Sequence, residues 1–128
     1  MSSRAVEVTD GKDVGILGKS GEKGVQNIVR GDGLVHPGCI FDKKAIEEVG
    51  GYKNFKRAED LALWFELLLY DYRLYTIEDV LLRYTVDPED YKKRKFSNRI
   101  GELQARIYYN KKLKGGINGY IRSMCQVY

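Results

Sequence analysis

The stretch VGGYKNFKRAEDLALWFELLLY, Val49 to Tyr70, carries the strongest structural signal in the chain. A Gly-Gly-Tyr turn leads through a short basic loop to Ala58-Glu59-Asp60, and a strongly apolar segment follows at once. The acidic pair lies where a helix should begin, because the first turn of a helix presents unpaired N–H groups and the positive end of the helix dipole. The residues behind the pair are apolar on nearly every side, which predicts a buried helix that runs to about Tyr70. A carboxylate is therefore expected at the mouth of a rigid element.

The composition indicates one domain, or one piece of a larger one, with a true hydrophobic core. Of the 128 residues, 43% are hydrophobic, too many for a disordered segment. The two cysteines, Cys39 and Cys125, lie far apart, which favours reduced thiols over a disulfide scaffold or a zinc site. No signal peptide is evident, and the longest apolar run is too short to span a bilayer. We expect a cytoplasmic protein, with a peripheral position at the inner face of the membrane as the alternative.

The first part of the chain, residues 1–33, has the weakest signals. Arg4 to Thr9 is expected to form a strand, because Val6 and Val8 alternate with polar residues. Asp10 to Gly24 is rich in Gly, Lys and Asp, which predicts an exposed turn or a mobile loop. Its segment GKSGEKG is only superficially similar to a phosphate-binding loop. We reject that interpretation because the glycine spacing is incomplete and no apolar strand leads into the segment.

The middle of the chain predicts short elements around the apolar helix. Leu34 to Phe41 is expected to be a buried strand or extended segment, with an irregularity at Pro37. Asp42 is typical of the N-cap of a short helix, and Gly50 of the residue that ends it. Gly31-Asp32-Gly33 predicts a turn.

Two strands and a second long helix are expected after the apolar helix. The strands are Leu74 to Ile77 and Val80 to Val86, with a turn at Glu78-Asp79 between them. Ser97 is a candidate N-cap for the long helix. The apolar face of that helix is predicted to comprise Ile100, Leu103, Ile107 and Leu113, and its polar face Arg99, Glu102, Arg106, Lys111 and Lys112.

Residues 34–86 resemble the acceptor-side half of family 2 inverting glycosyltransferases with the GT-A fold. The matching pieces, in chain order, are His36-Pro37, Cys39-Ile40-Phe41, Lys43-Lys44-Ala45, Gly50-Gly51-Tyr52, Phe55, Ala58-Glu59-Asp60, Leu63-Trp64, Leu67-Leu68 and Val80-Leu81-Leu82 with Tyr84. The resemblance implies an α/β protein, a partial GT-A-type fold in which a small mixed sheet has flanking helices. On this interpretation residues 1–33 form a poorly defined strand and loop segment, residues 34–113 the acceptor-side glycosyltransferase portion, and residues 114–128 a C-terminal tail.

The resemblance also implies an activity and a set of site residues. The family transfers a sugar from a nucleotide-sugar donor to an acceptor hydroxyl with inversion, and its general base corresponds to Asp60. A saccharide or lipid-linked acceptor is expected, in surface-polysaccharide assembly. Substrate-binding roles are expected for Glu59, which would orient a hydroxyl, and for Gly51 and Tyr52, which would approach the sugar. Trp64 is expected mainly in the core, with stacking on a sugar as its second role.

Several features depart from the family pattern. No apolar strand ends in the Asp-X-Asp that would hold a metal and a nucleotide diphosphate, so the donor-binding half is missing from this chain. Glu66 stands where the family commonly has Arg, and Asp87 where it often has a His that ligates the metal. A divalent metal, Mn or Mg, is expected for the complete enzyme, and Asp87 is the weak candidate ligand here.

Other interpretations remain open at this point. The same fold without its chemistry, a remnant or binding module, is supported by the substitutions at Glu66, Thr85 and Asp87. A basic nucleic-acid-binding domain is disfavoured, because the acidic pair would repel phosphates. The basic run Lys92 to Lys95 is usually a solvated surface, and its functional alternative is attraction to a diphosphate, a lipid phosphate or a membrane. Exposed sheet edges would favour self-association.

Overall fold

The computed structural model describes residues 1–92 and 99–113 and shows a mixed α/β arrangement. Four strands form one sheet: β1 (Ser2–Thr9), β2 (Lys12–Leu17), β3 (Gly21–Lys23) and β4 (Leu74–Thr85). The described helices are α1 (Val25–Val29), α2 (Lys43–Glu48), α3 (Glu59–Leu69), α4 (Pro88–Lys92) and α5 (Ile100–Lys112). None of these helices has the length and the apolar character to cross a bilayer. The predicted N-cap Ser97, Cys125, the basic run beyond Lys92 and the tail 114–128 lie outside the described residues.

The sheet has the strand order β2-β1-β4-β3 and mixes parallel and antiparallel pairs. β1 and β2 are antiparallel and are joined at Asp10 and Gly11, which both have positive φ (50° and 74°), as a two-residue hairpin turn requires. β1 runs parallel to β4, and β3 pairs antiparallel with the start of β4. β1 is confirmed as a strand, and its Ala5 and Val8 are buried.

The loop predicted for Asp10 to Gly24 is wrong. After the turn at Asp10, β2 and β3 occupy most of this segment. Every residue of β2 from Lys12 to Ile16 is exposed, so β2 has no buried face that could produce an alternating pattern. Its backbone pairing with β1 therefore decides its conformation, and that pairing leaves no periodic signal in the sequence.

The turn predicted at Glu78-Asp79 is also wrong, because β4 is one strand of 12 residues. The registers Ser2↔Thr76 and Arg4↔Val80 show that β4 uses two more residues than β1 over this interval. The two acidic residues therefore lie in an irregularity of a continuous strand, where a bulge accommodates the polar pair.

The segment Leu34 to Phe41 is not a strand. It contains a single 3₁₀ turn at His36–Gly38 and one isolated bridge from Cys39 to Ser2. Leu34 is buried, whereas Ile40 is 69% exposed. Pro37 lies within the 3₁₀ turn, so the irregularity predicted there is confirmed, and Val35 and Cys39 on either side of the turn are extended.

The core is centred on α3, whose bounds confirm the buried helix predicted from Glu59 onward. All residues from Leu61 to Leu67 are buried. The core also contains Ile28, Val29, Leu34, Ala45, Val49, Ala58, Leu74, Ala105 and Tyr109. The Asp42 N-cap of α2 is confirmed, since its Oδ1 accepts a hydrogen bond of 2.8 Å from the N–H of Lys44.

The packing face predicted for α5 is wrong at Ile100 and Ile107, whereas Leu113 packs against the core as predicted. Ile100 and Ile107 are 44% and 40% exposed, whereas Arg106, assigned to the polar face, is only 4% exposed. The residues that α5 buries are Gly101, Ala105, Arg106, Tyr109 and Asn110. A Cβ at Gly101 would collide with the backbone carbonyl of Lys56, so α5 is held by close backbone approach rather than by large aliphatic side chains.

Candidate functional site

The N-terminus of α3 positions Asp60. Ala58 stands at the N-cap without a capping side chain, and Glu59 and Asp60 form the acidic first turn. Asp60 is half-buried, and its Oδ1 accepts a hydrogen bond of 2.8 Å from the N–H of Leu61. Because the next seven residues, Leu61 to Leu67, are buried in the core, the backbone that carries Asp60 is fixed.

Asp60 lines a cavity of about 550 Å³, here called the main cleft. The other walls are residues 16–19 at the end of β2, residues 30–37, Trp64 and Tyr84. A volume of this size lies in the range of small-molecule sites. The main cleft is therefore bounded by the sheet on one side and by the start of α3 on the other.

A second cavity of about 450 Å³, here called the side pocket, adjoins the main cleft. Gly31, Asp60 and Trp64 line both cavities. The side pocket also includes Arg57 and Arg106. Asp60 thus stands on the wall that the two cavities share, where groups from either side can reach its carboxylate.

Trp64 belongs both to the core and to the wall of the two cavities. It is 7% exposed, and its indole Nε1–H has no hydrogen-bond partner among the described residues. A Cβ added at Gly33 would lie 2.5 Å from Cζ3 of the ring, so only glycine fits opposite the indole. The indole nitrogen has almost no accessible surface, so the part of Trp64 that a molecule in the cavities would meet is the ring.

A polar network fixes the loop between α1 and the main cleft. Lys23 is 2% exposed, and its Nζ donates to Asp32 Oδ1 at 2.7 Å, while Asn27 Nδ2 donates to Asp32 Oδ2 at 3.2 Å. Burial alone would raise the pKa of Asp32, but these hydrogen bonds outweigh it and hold the pKa below its usual value. The charge of Asp32 is therefore balanced within the fold.

Three cations around Asp60 form no close ion pair with any described residue, although the charge of Lys19 contributes to the lowered pKa of Asp32. Lys19 and Arg30 line the main cleft, and Arg57 lines the side pocket. All three are exposed, and none forms an ion pair with the described part of the chain. Arg57 also has a positive φ of 59°, a strained conformation for a bulky residue, directly before Ala58. Asp60 therefore has exposed cations in both cavities, together with the carboxylates of Asp32 in the main cleft and Glu102 in the side pocket.

The remaining predicted substrate residues lie outside the two cavities. Glu59 is exposed and lines neither of them. Gly51 has a positive φ of 71° after α2 and also lines neither. Tyr52 is connected indirectly, since its hydroxyl lies 3.0 Å from Nε2 of His36, which lines the main cleft. Of the predicted site residues, the structure thus brings Asp60 and Trp64 together at the main cleft. Tyr52 is connected to the cleft only through His36.

The expected divalent metal finds no ready set of ligands in residues 1–92 and 99–113, where no group of three or more His, Cys, Asp or Glu side chains occurs. Asp87, the weak candidate, instead caps α4: its Oδ1 accepts a hydrogen bond of 2.9 Å from the N–H of Glu89. The expected metal therefore stays a prediction, and the chemistry considered below uses the side chains of the chain itself.

Sequence reasoning missed several residues of the main cleft, above all Lys19, Arg30 and Gly33. The sequence predicts a loop and a turn for the segments around these residues. An isolated cation or glycine in such a segment belongs to no periodic pattern or motif that would predict a role in a site. Comparison of the chain with models of protein families, with curated proteins and with solved structures finds no match.

Proposed function

We propose that this chain is the acceptor-side portion of an inverting glycosyltransferase of family 2 with a GT-A-type fold. It would take part in transferring a sugar from a nucleotide-sugar donor to a hydroxyl of a saccharide or lipid-linked acceptor. The observation that carries the proposal is the position of Asp60, on the wall shared by two cavities and on a backbone fixed by a buried helix. The resemblance over residues 34–86 assigns the general base to the same residue.

In the proposed reaction, the acceptor oxygen forms a bond to the anomeric carbon as the bond from that carbon to the nucleotide diphosphate breaks. The acceptor proton passes to the carboxylate of Asp60, and the electron pair of the broken bond leaves with the diphosphate. A carboxylate is a weak base, but the hydroxyl becomes acidic as its oxygen bonds to carbon, so the proton transfer can be late. The N–H of Leu61 donates a hydrogen bond to Oδ1 of Asp60 and so helps to hold the carboxylate at the start of α3.

Trp64 supports a saccharide as the occupant. Its ring forms part of both cavity walls, beside the carboxylate of Asp60. Sugars combine hydroxyl groups with apolar C–H faces, so they suit a wall that offers an aromatic ring next to a hydrogen-bond acceptor.

The test is the substitution Asp60→Asn in the natural gene product that carries this chain, assayed by release of nucleoside diphosphate from a panel of nucleotide sugars. Turnover should fall by about 10²–10⁴-fold, the usual contribution of a general base, while donor binding stays within about two-fold. Asp71→Asn is the matched control, because Asp71 is an exposed carboxylate just past the other end of α3. That control should retain the turnover of the wild type.

Two outcomes contradict the proposal. Unchanged turnover in the D60N variant removes Asp60 from the chemistry. Absence of release by the wild type with every donor, together with unaltered donor binding in the D60N variant, favours a binding module of the same fold.

A further inference from the structure

Two exposed cations, Lys19 and Arg30, line the main cleft. Asp32, a carboxylate in its wall, is paired with the buried Lys23 and is hydrogen-bonded to Asn27, while the charge of Lys19 also helps to lower the pKa of Asp32. Neither Lys19 nor Arg30 forms an ion pair within 4.0 Å with the described residues, so both can contact a bound anion. Two such cations beside a candidate base create a potential that attracts anions.

The positions of Lys19 and Arg30 in the chain exclude phosphate binding at the N-terminus of a helix as the role of these two residues. Lys19 follows the end of β2 at Leu17, and Arg30 follows the end of α1 at Val29, so neither lies at the N-terminus of a helix. The site depends on side-chain charge rather than on backbone N–H groups. Arginine and lysine are the residues that most often hold phosphate in this way, the first through paired N–H donors and the second as a point charge.

We propose that the main cleft selects an acceptor that carries a phosphate ester, which Lys19 and Arg30 hold while a hydroxyl of the same molecule faces Asp60. The assignment of this ligand as the acceptor rests on the function proposed above, whereas its binding does not. The cleft volume of about 550 Å³ accommodates a sugar with one phosphate group. The phosphate can belong to a soluble saccharide or to a lipid, and both present the same group to the two cations.

Trp64 provides a direct binding signal, because it is the single tryptophan of the chain and lines the main cleft. The experiment is a fluorescence titration of the full chain with glucose 6-phosphate, decyl phosphate and uncharged glucose. Saturable changes are expected with the two phosphates and not with glucose. The tighter of the two phosphates identifies the source, soluble saccharide or lipid.

Two variants test the assigned residues. Lys19→Ala and Arg30→Ala should each raise the Kd for the phosphates by about ten-fold, the effect of losing one hydrogen bond to a charged group. Both side chains are exposed, so neither change should disturb the core. Lys43→Ala is the control: it removes the same charge from an exposed side chain of α2 that lines neither cavity, and the Kd should not change.

Raising the ionic strength from about 0.05 to 0.3 M should weaken binding of the phosphates, because salt screens exposed charges over this range. Equal binding of glucose and glucose 6-phosphate overturns the proposal, as does an equal Kd for the K19A, R30A and K43A variants. The D60N variant should bind the phosphates at least as well as the wild type, since it removes a negative charge that faces them.

The results separate this inference from the proposed function. If phosphates bind through Lys19 and Arg30 but D60N keeps full turnover, the anion site stands and the role of Asp60 fails. If D60N abolishes turnover but phosphates do not bind, the role of Asp60 stands and the selection of a phosphorylated acceptor fails.

Discussion

Helices α3 and α5 pack against each other and are buried in different ways. From Leu61 to Leu67, α3 is buried throughout, and six of these seven residues are apolar. By contrast, α5 buries Gly101, Ala105, Arg106, Tyr109 and Asn110 and leaves Ile100 and Ile107 exposed. Apolar character therefore decides the position of a helix only when it covers most of the surface of that helix.

The contacts of α5 explain the difference. Arg106 Nη1 donates to the carbonyls of Ile28 and Val29 at 3.0 and 2.8 Å, and its Nε donates to Glu102 at 3.2 Å. The carbonyl of Ile28 also accepts a hydrogen bond of 3.0 Å from the N–H of Gly31, whereas Arg106 is the donor that the C-terminal carbonyl of Val29 has among the described residues. The orientation of α5 thus follows from a few directional bonds and one close backbone approach.

Replacing Arg106 with Met should have the largest effect on this arrangement. The variant keeps a long side chain but leaves the carbonyl of Val29 without its donor and that of Ile28 with only the N–H of Gly31. The free energy of unfolding should therefore fall by about 3 kcal/mol, the upper end of the cost of an unsatisfied buried group. Urea denaturation at pH 7 measures the loss. Lys111→Met, which removes an exposed cation from the same helix, is the control, and an equal loss in both variants would contradict the role given to Arg106.

Tyr109→Phe should have an intermediate effect that depends on pH. Tyr109 is fully buried, its hydroxyl donates to Glu66 Oε1 at 2.6 Å, and its ring stacks on Phe65 with centroids 5.2 Å apart. The variant retains the stacking and loses the hydrogen bond, so it should be less stable by about 1–2 kcal/mol at pH 7.

The pH dependence of the same variant follows from the pKa of Tyr109. Burial first, and then the hydrogen bond to Glu66, raise this pKa far above the ordinary value of 10.0. The stability that the neutral hydroxyl contributes is therefore complete below pH 10 and decreases as the pH rises above it. Urea denaturation at pH 7 and at about pH 11 should show the wild type losing more stability than the Y109F variant. A constant difference between them would exclude this linkage.

Ile107→Ser should have the smallest effect and separates the two interpretations of α5 most sharply. The sequence pattern places Ile107 in the core, where its loss would cost several kcal/mol. In the structure its side chain is 40% exposed, so the expected change is within about 0.5 kcal/mol. Ala105→Ser, at a fully buried position of the same helix, should be clearly more damaging.

The parts of the fold that the sequence predicts correctly are those with dense local signals. The start and length of α3 follow from the acidic pair and the apolar run, and the cap at Asp42 follows from one residue type in one position. The face of α5 and the pairing of β2 depend on partners distant in the chain, which leave no periodic pattern.

The residues of the candidate site also differ in how well the sequence predicts their positions. Asp60 and Trp64 belong to α3, and their position could be predicted together with that helix. Lys19, Arg30 and Gly33 come from segments without regular structure, and only the fold brings them to the same cleft. The buried Lys23 could not be predicted either, because its burial depends on the carboxylate of Asp32.

The parallel pairing of β1 with β4 has a consequence for biosynthesis. Ser2 and Thr76, which pair at the start of this ladder and share a hydrogen bond of 3.0 Å, are 74 residues apart. During translation β1 cannot pair with β4 until β4 has left the ribosome, and a hairpin of β1 and β2 alone is at best marginally stable. The wall of the main cleft formed by the end of β2 and by Tyr84 therefore cannot assemble before β4 is synthesised.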